Sequence, residues 1–97
     1  MGDNSEEITF RDILLSYDIA YINNAIEHYG NNKKLTARKI GLSRNGLYEK
    51  LDLQFKDLRF DVVYDPDLSF KEASQKFKRR ILEDVVKSLK ERRIMVE

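Results

Sequence analysis

The sequence predicts an all-α protein: a long amphipathic helix followed by a helix-turn-helix, then a linker and a second long amphipathic helix. Two stretches, 10–29 and 70–89, repeat apolar residues at steps of three and four, the spacing of one helix face. Between them, residues 31–51 have the pattern of two short helices separated by a glycine turn. We expect residues 1–56 to form the helix-turn-helix domain with its packing helix, and residues 57–97 to form the linker and last helix.

Size and composition narrow the class of protein. A chain of 97 residues allows one small domain, or a compact domain with an appended element. The hydrophobic share of 41% and charged share of 36% are typical of a soluble helical protein. No apolar run approaches the roughly 20 residues of a membrane span. Because cysteine is absent, disulfides and thiolate chemistry are excluded, and the redox compartment cannot be read from cysteine usage. With no signal-peptide pattern at the start of the chain, a cytoplasmic location is the default expectation.

The first long helix carries signals at both ends. Thr9 and Asp12 have the spacing of a capping box, and Gly30 stands where a left-handed helix end is common. The apolar stripe is too wide and too aromatic for two short helices to cover, so part of it should meet another long helix. We expect its tyrosines to pack in the core. The stripe comprises Phe10, Ile13, Leu14, Tyr17, Tyr21, Ile22, Ala25, Ile26 and Tyr29.

The two short helices divide into an apolar and a polar side. Gly41 supplies the turn between them, and the Ser43 hydroxyl can cap the second helix. The other exposed positions are mostly Lys, Arg and Asn, which suit phosphates and base edges. The residues expected to face inward are Leu35, Ile40, Leu47 and Leu51.

Charge is distributed unevenly along a chain whose net charge is only +1. Residues 1–30 sum to −5, residues 31–56 to +5 and residues 57–97 to +1. Positive charge concentrated on the helix-turn-helix favours a polyanion on that face. A lysine-rich helix face that is merely solvated gives the same pattern, so both interpretations stay open.

Downstream, Pro66 marks a turn after the mixed segment 58–64, which reads as a short strand or an extended linker. Ser69 and Glu72 form a second capping-box pattern, and the helix behind it should reach about Arg93. Its stripe comprises Phe70, Ala73, Phe77, Ile81, Leu82, Val85, Val86 and Leu89.

The second long helix keeps register when it is laid over the first with Phe70 on Phe10. Phe77 then falls on Tyr17, and Leu89 falls on Tyr29. A partial internal repeat is one interpretation, and the shared 3.6-residue period of any two amphipathic helices is the other. The two helices could pair inside one chain or extend a four-helix bundle between chains.

The sequence Gly41-Leu42-Ser43-Arg44, followed by Leu47-Tyr48 and Lys50-Leu51, is similar to the pattern of the Fis-type DNA-binding domain. That domain occurs in the nucleoid protein Fis and at the C-terminus of NtrC-class transcription activators, and the resemblance covers residues from about 10 to 51. It implies sequence-specific or nucleoid-type binding of double-stranded DNA, a homodimer through the long helices, transcription regulation and a nucleoid-associated location.

The resemblance places Ser43, Arg44, Lys50 and the backbone near Asn45 at the DNA surface. An arginine in the first turn of a recognition helix can also reach the two adjacent acceptors of guanine, so Arg44 is the best candidate for a base contact. At the start of the preceding helix, free N–H groups and positive charge favour phosphate. The predicted DNA-binding residues are Asn31, Asn32, Lys33, Lys34, Ser43, Arg44, Asn45, Tyr48 and Lys50.

Two residues depart from the family pattern. Gly46 replaces the usual threonine, which costs roughly 0.5–1 kcal/mol of helix stability relative to alanine and removes a hydroxyl that could reach phosphate. Glu49 stands where a basic or polar residue is usual, and it would repel phosphate, accept from cytosine or pair with a lysine. The alternative function is therefore a protein-interaction or regulatory module whose degenerate helix-turn-helix no longer binds DNA, with the basic stretch 76–80 contacting a partner.

No pattern of catalytic residues is present, so the sequence predicts no enzyme, no cofactor and no small-molecule ligand. The single histidine, His28, stands near a helix C-terminus, where a capping or surface role is expected rather than metal binding. Glycine-rich phosphate loops and nucleophile elbows are missing. Residues 1–7 are polar and expected to be loose.

Overall fold

The computed structural model describes the backbone of residues 7–96 and the side chains of residues 7–91. It contains four helices, α1 (Phe10–His28), α2 (Lys33–Ile40), α3 (Arg44–Leu51) and α4 (Phe70–Val96), and no strand in the described part. The predicted all-α class and the order of its helices are confirmed. The last helix ends three residues later than expected. Residues 1–7 were expected to be loose. Of these, all but Glu7 lie outside the described residues.

Helix α1 begins with the predicted capping box. The Asp12 N–H donates to Thr9 Oγ1 at 3.1 Å, and the Thr9 N–H donates back to Asp12 Oδ2 at 3.0 Å. The other carboxylate oxygen of Asp12 accepts from the Lys56 N–H at 3.0 Å. Because the backbone hydrogen bonds from Thr9 and Lys56 favour the charged form, the pKa of Asp12 is lowered. At the other end the chain turns through Gly30, whose φ of +68° is left-handed as predicted.

The core lies where the C-terminal half of α1 meets the two short helices, the start of α4 and the chain between α3 and α4. The aromatic stripe of α1 therefore meets a second long helix, as expected. The division after residue 56 stays a prediction, and the core draws residues from both of the resulting segments. The buried hydrophobic residues are Tyr21, Ile22, Ala25, Ile26, Ala37, Ile40, Leu47, Val62, Phe70 and Ala73.

Residues 53–68, called the strap below, run along α1 in the same direction as the helix. The Ser16 hydroxyl accepts from the Leu58 N–H at 2.9 Å and donates to the Lys56 carbonyl at 3.3 Å. Further along, the Asn24 side-chain amide donates to the Val62 carbonyl. Side chains of α1 thus form hydrogen bonds with backbone groups of the strap, in the place of the hydrogen bonds that a neighbouring strand would form. The extended-linker interpretation of residues 58–64 is confirmed and the strand is wrong.

Tyrosine hydroxyl groups fasten the far end of the strap. The Tyr21 hydroxyl lies 2.9 Å from the Asp65 carbonyl oxygen and 2.7 Å from that of Leu68. The hydroxyl groups of Tyr29 and Tyr64 are 2.8 Å apart. Burial raises the pKa of Tyr21 and of Tyr64, and the hydrogen bond to Tyr29 raises that of Tyr64 further. The expected core role of these tyrosines therefore includes buried polar contacts.

Helix α4 turns back from the strap and runs antiparallel to α1. The Ser69 and Glu72 capping box opens it, with the two bonds at 2.9 and 3.1 Å. The rings of Tyr17 and Phe77, which the sequence overlay places on each other, stack with centroids 4.2 Å apart. Of the two pairings left open by the sequence, the structure thus shows the one inside a single chain. Within the described residues, no helix has the length and apolarity needed to cross a membrane.

Candidate nucleic-acid interface

Each short helix begins with a side-chain cap, and a left-handed glycine joins them. The side-chain Oδ1 of Asn32 accepts from the Leu35 N–H at 3.0 Å and caps α2. Gly41 ends α2 with φ +82°, a conformation that is strained for residues with a Cβ. The Ser43 hydroxyl then accepts from the Gly46 N–H at 2.9 Å and caps α3. The predicted turn and cap are confirmed.

Burial fixes the orientation of α3. Leu47 and Ile40 are fully buried, and Leu35 and Leu51 are half-buried, so the residues predicted to face inward do so. The opposite side of α3 is exposed to solvent. It presents Arg44, Asn45, Tyr48 and Glu49.

The start of α2 lies beside this exposed side. The Lys33 Nζ is 5.7 Å from the ring centroid of Tyr48, a cation–π contact that connects the two helices. Asn31, Asn32 and Lys34 are also exposed there. The α2 start and the α3 side together form the surface called the basic face below, made of Asn31, Asn32, Lys33, Lys34, Arg38, Ser43, Arg44, Asn45 and Tyr48.

Arg38 belongs to the basic face although the sequence prediction omitted it. Lys34, Arg38 and Arg44 line one shallow groove together with Leu42. Lys34 and Arg38 are four residues apart, which places them on the same side of α2. That spacing was the signal available in the sequence.

Lys50 is the one predicted residue that lies apart from the basic face. Its side chain is half-buried, and its Nζ lies 5.1 Å from the ring centroid of Phe70 at the start of α4. It follows Leu47 by three residues and so stands near the inward side of α3. A DNA contact by Lys50 stays a prediction.

Asp18 belongs to α1, and its side chain lies near Ser74 at the start of α4. Burial raises its pKa, while a hydrogen bond from the Ser74 hydroxyl and the positive charge of Lys50 act in the opposite direction. Among the described residues, Asp18 Oδ1 is a buried oxygen without a hydrogen-bond partner. Lys50 of α3 therefore lies close to both Asp18 of α1 and Phe70 of α4.

The two departures from the family pattern have different surroundings. A Cβ added at Gly46 would lie 3.0 Å from Ser43 Oγ, so the missing side chain leaves room for the cap. Glu49 is exposed next to Tyr48, and it brings a negative charge to the edge of the basic face.

Comparison with known families finds a match in the helix-turn-helix. Residues 19–52 match the model described as bacterial regulatory protein, Fis family. The match begins inside α1 and ends one residue after α3, and the strap and α4 lie outside it. No curated protein and no solved structure matches the chain.

Proposed function

We propose that the chain binds double-stranded DNA through the basic face, because residues 19–52 match the model described as bacterial regulatory protein, Fis family. Helix α3 enters the major groove, and the start of α2 meets the phosphate backbone. The observation that carries the proposal is that the family match coincides with a capped helix whose polar side is free of contacts to the core.

Arg44 is the proposed base-reading residue. It is the first residue of α3, is exposed, and stands next to the cap, where a recognition helix makes its base contacts. Its planar guanidinium can donate to both major-groove acceptors of guanine. Asn45 and Tyr48 lie on the same side of the helix and are placed for neighbouring bases or sugars.

Lys33, Lys34 and Arg38 are the proposed phosphate contacts. All three are exposed, and the first two follow the Asn32 cap, where the free N–H groups of α2 add to their positive charge. Phosphate contacts position the protein without reading sequence. We therefore expect substitutions here to weaken binding to all DNA sequences alike.

The chain acts as a homodimer through its long helices and regulates transcription at the nucleoid. Two-fold symmetry would place two recognition helices on half-sites separated by whole helical turns of roughly 34 Å each. The resemblance of residues 10–51 to the Fis-type domain, in which a long dimerisation helix precedes the helix-turn-helix, supports this assembly.

The test is the affinity of the full chain for random-sequence duplex DNA, measured by fluorescence anisotropy across a salt series. Several phosphate contacts predict an affinity that falls by orders of magnitude between low and moderate salt. Selection of a preferred sequence would follow. No binding at low salt would refute the proposal and leave the protein-interaction module, which Glu49 at the edge of the basic face favours.

Two arginine substitutions sharpen the test. Arg44→Ala should weaken binding to a selected site by roughly 10-fold or more, because one bidentate contact is worth about 1–3 kcal/mol. Arg80→Ala is the matched control, since Arg80 is exposed on α4 and its substitution removes the same charge. Equal losses from both variants would contradict the assignment of α3 as the recognition helix.

A further inference from the structure

The second half of α4 carries an apolar face that the described chain leaves uncovered. Leu82, Val85, Val86 and Leu89, called the outer face below, are 47–57% exposed although they stand within eight residues of one another. At the start of the same helix, Phe70 and Ala73 are buried. A row of large, exposed apolar residues on consecutive turns indicates a binding surface for another protein.

The antiparallel pairing explains why α1 does not cover this face. Counted from the Tyr17 and Phe77 stack, the first residue of α1, Phe10, lies level with Asp84. Helix α4 continues from there to Val96, a further length of about 18 Å at 1.5 Å per residue. Ile8, the last large apolar residue before α1, is itself 54% exposed.

The outer face is continuous with the contact between the two long helices. Ile13 of α1 lines a groove with Ile81, Val85 and Leu89 of α4. A partner seated on the outer face would therefore extend the apolar layer that already joins α1 and α4, as in a four-helix bundle.

We propose that a second copy of this chain packs on the outer face with its own α4 antiparallel. Leu82 and Leu89 are seven residues apart, and their midpoint falls between Val85 and Val86. A two-fold axis at that point sets Leu82 of one copy against Leu89 of the other, and Val85 against Val86. One patch thus matches itself, which is the requirement of a closed symmetric dimer.

One pair of opposite charges beside the outer face favours the antiparallel direction. Glu83 and Lys90 are both exposed and also seven residues apart, so they lie on one flank of α4. Their midpoint is one residue, about 1.5 Å, from the same two-fold axis. Antiparallel packing brings each carboxylate near the ammonium group of the other copy, whereas parallel packing would set this flank against Ile81 and Ser88.

This inference rests on the homodimer of the proposed function and assigns its interface to α4 instead of α1. The C-terminal half of the α1 stripe is already buried within the chain. Because Lys50 of α3 contacts Phe70, the two helix-turn-helix modules would lie at opposite ends of the α4 pair. Both basic faces would then remain free for DNA.

The experiment measures the mass of the full chain in solution by sedimentation equilibrium without DNA. The unaltered chain should be a dimer, and the double variant Leu82→Glu with Leu89→Glu should be a monomer with unchanged helix content. The matched control is Val63→Glu, because Val63 is an apolar residue that is 82% exposed and belongs to the strap and not to α4. This control should stay dimeric.

A monomeric natural chain at the highest reachable concentration would overturn the proposal, as would a double variant that remains dimeric. The relative direction of the two α4 helices is tested with single cysteine substitutions, since the chain has no cysteine of its own. Val86→Cys, near the axis, should form an interchain disulfide on oxidation, whereas Arg79→Cys should not. Cross-linking of both variants would indicate parallel packing and refute the antiparallel dimer.

The result is independent of DNA binding. If Arg44→Ala loses DNA affinity while the natural chain is monomeric, the homodimer and its α4 interface are wrong, and DNA binding through the basic face stands. If the natural chain dimerises through α4 and does not bind DNA, the proposed function is wrong and the interface stands.

Discussion

Helices α1 and α4 begin alike and end differently. Both open with a capping box and both carry an apolar stripe of the same period. The stripe of α1 becomes more buried along its length, to Tyr21, Ile22, Ala25 and Ile26, whereas that of α4 becomes more exposed, to Val86 and Leu89. An amphipathic stripe therefore indicates that one face of a helix packs against apolar residues, and it does not say whether those residues belong to the same chain.

The largest expected effect sets a buried α1 residue against an exposed α4 residue. Ile22→Ala should lower the free energy of unfolding by about 2–4 kcal/mol, because Ile22 is fully buried and its loss leaves a cavity. Leu89→Ala should lower it by less than about 0.5 kcal/mol in the monomer. Urea unfolding followed by circular dichroism at the lowest workable protein concentration measures both. Similar losses would break the comparison, since they would show Leu89 to be covered within the monomer.

A smaller effect tests how the strap covers α1. Tyr21→Phe keeps the ring and removes the hydroxyl that lies between the carbonyl oxygens of Asp65 and Leu68. We expect a loss of about 1–2 kcal/mol, because those oxygens lose a hydrogen-bond partner. Tyr48→Phe is the matched control, since the Tyr48 side chain is exposed and should change the stability little. Equal stability of the two variants would contradict a role for the hydroxyl in holding the strap.

The contact between α1 and α4 should respond to pH through Asp18. Because the folded-state pKa of Asp18 is raised above 3.8, its charge destabilises the folded chain at neutral pH, and this cost disappears as the pH falls through the folded-state pKa. Asp18→Asn should therefore raise the free energy of unfolding at pH 7 by about 0.5–1 kcal/mol. The advantage over the natural chain should shrink in acid, as measured by urea titrations at several pH values. An advantage that grew in acid would have the wrong sign.

The smallest expected effect lies in the helix-turn-helix, away from both long helices. Gly46→Ala should stabilise the chain by less than about 0.5 kcal/mol, because the gain in helix propensity is offset by the 3.0 Å contact with Ser43 Oγ. The double variant with Ser43→Ala removes that contact together with the cap. Thermal unfolding of the single and double variants separates the two contributions, and a marked loss in Gly46→Ala would show that the cap cannot adjust.

Much of this fold follows from local sequence rules. The capping pairs of Thr9 with Asp12 and Ser69 with Glu72, and the turn at Gly41, depend on neighbours within a few residues, and each was predicted. The path of the strap was only partly predicted. Its hydrogen bonds join Ser16 and Tyr21 to backbone groups roughly 40 residues later, and no local pattern encodes such contacts.

The candidate site divides in the same way. Exposure of Asn45 and Tyr48 follows from their positions relative to Leu47 on one helix, and exposure of Arg44 from its place at the start of α3, so the sequence could predict both. The place of Lys50 depends on Phe70, which belongs to another helix, and was not foreseen. Arg38 was omitted because its neighbour in the groove, Arg44, lies across the turn.

The hydrogen bonds between α1 and the strap also bear on the order in which the chain folds. They span 38 to 47 residues, so the ends of long loops must meet before α1 is covered, whereas α2 and α3 are adjacent along the chain. During synthesis, the aromatic stripe of α1 emerges from the ribosome well before the residues that bury it. Chaperone protection of the nascent N-terminal half would therefore matter most in the interval before the strap and the first turns of α4 are made.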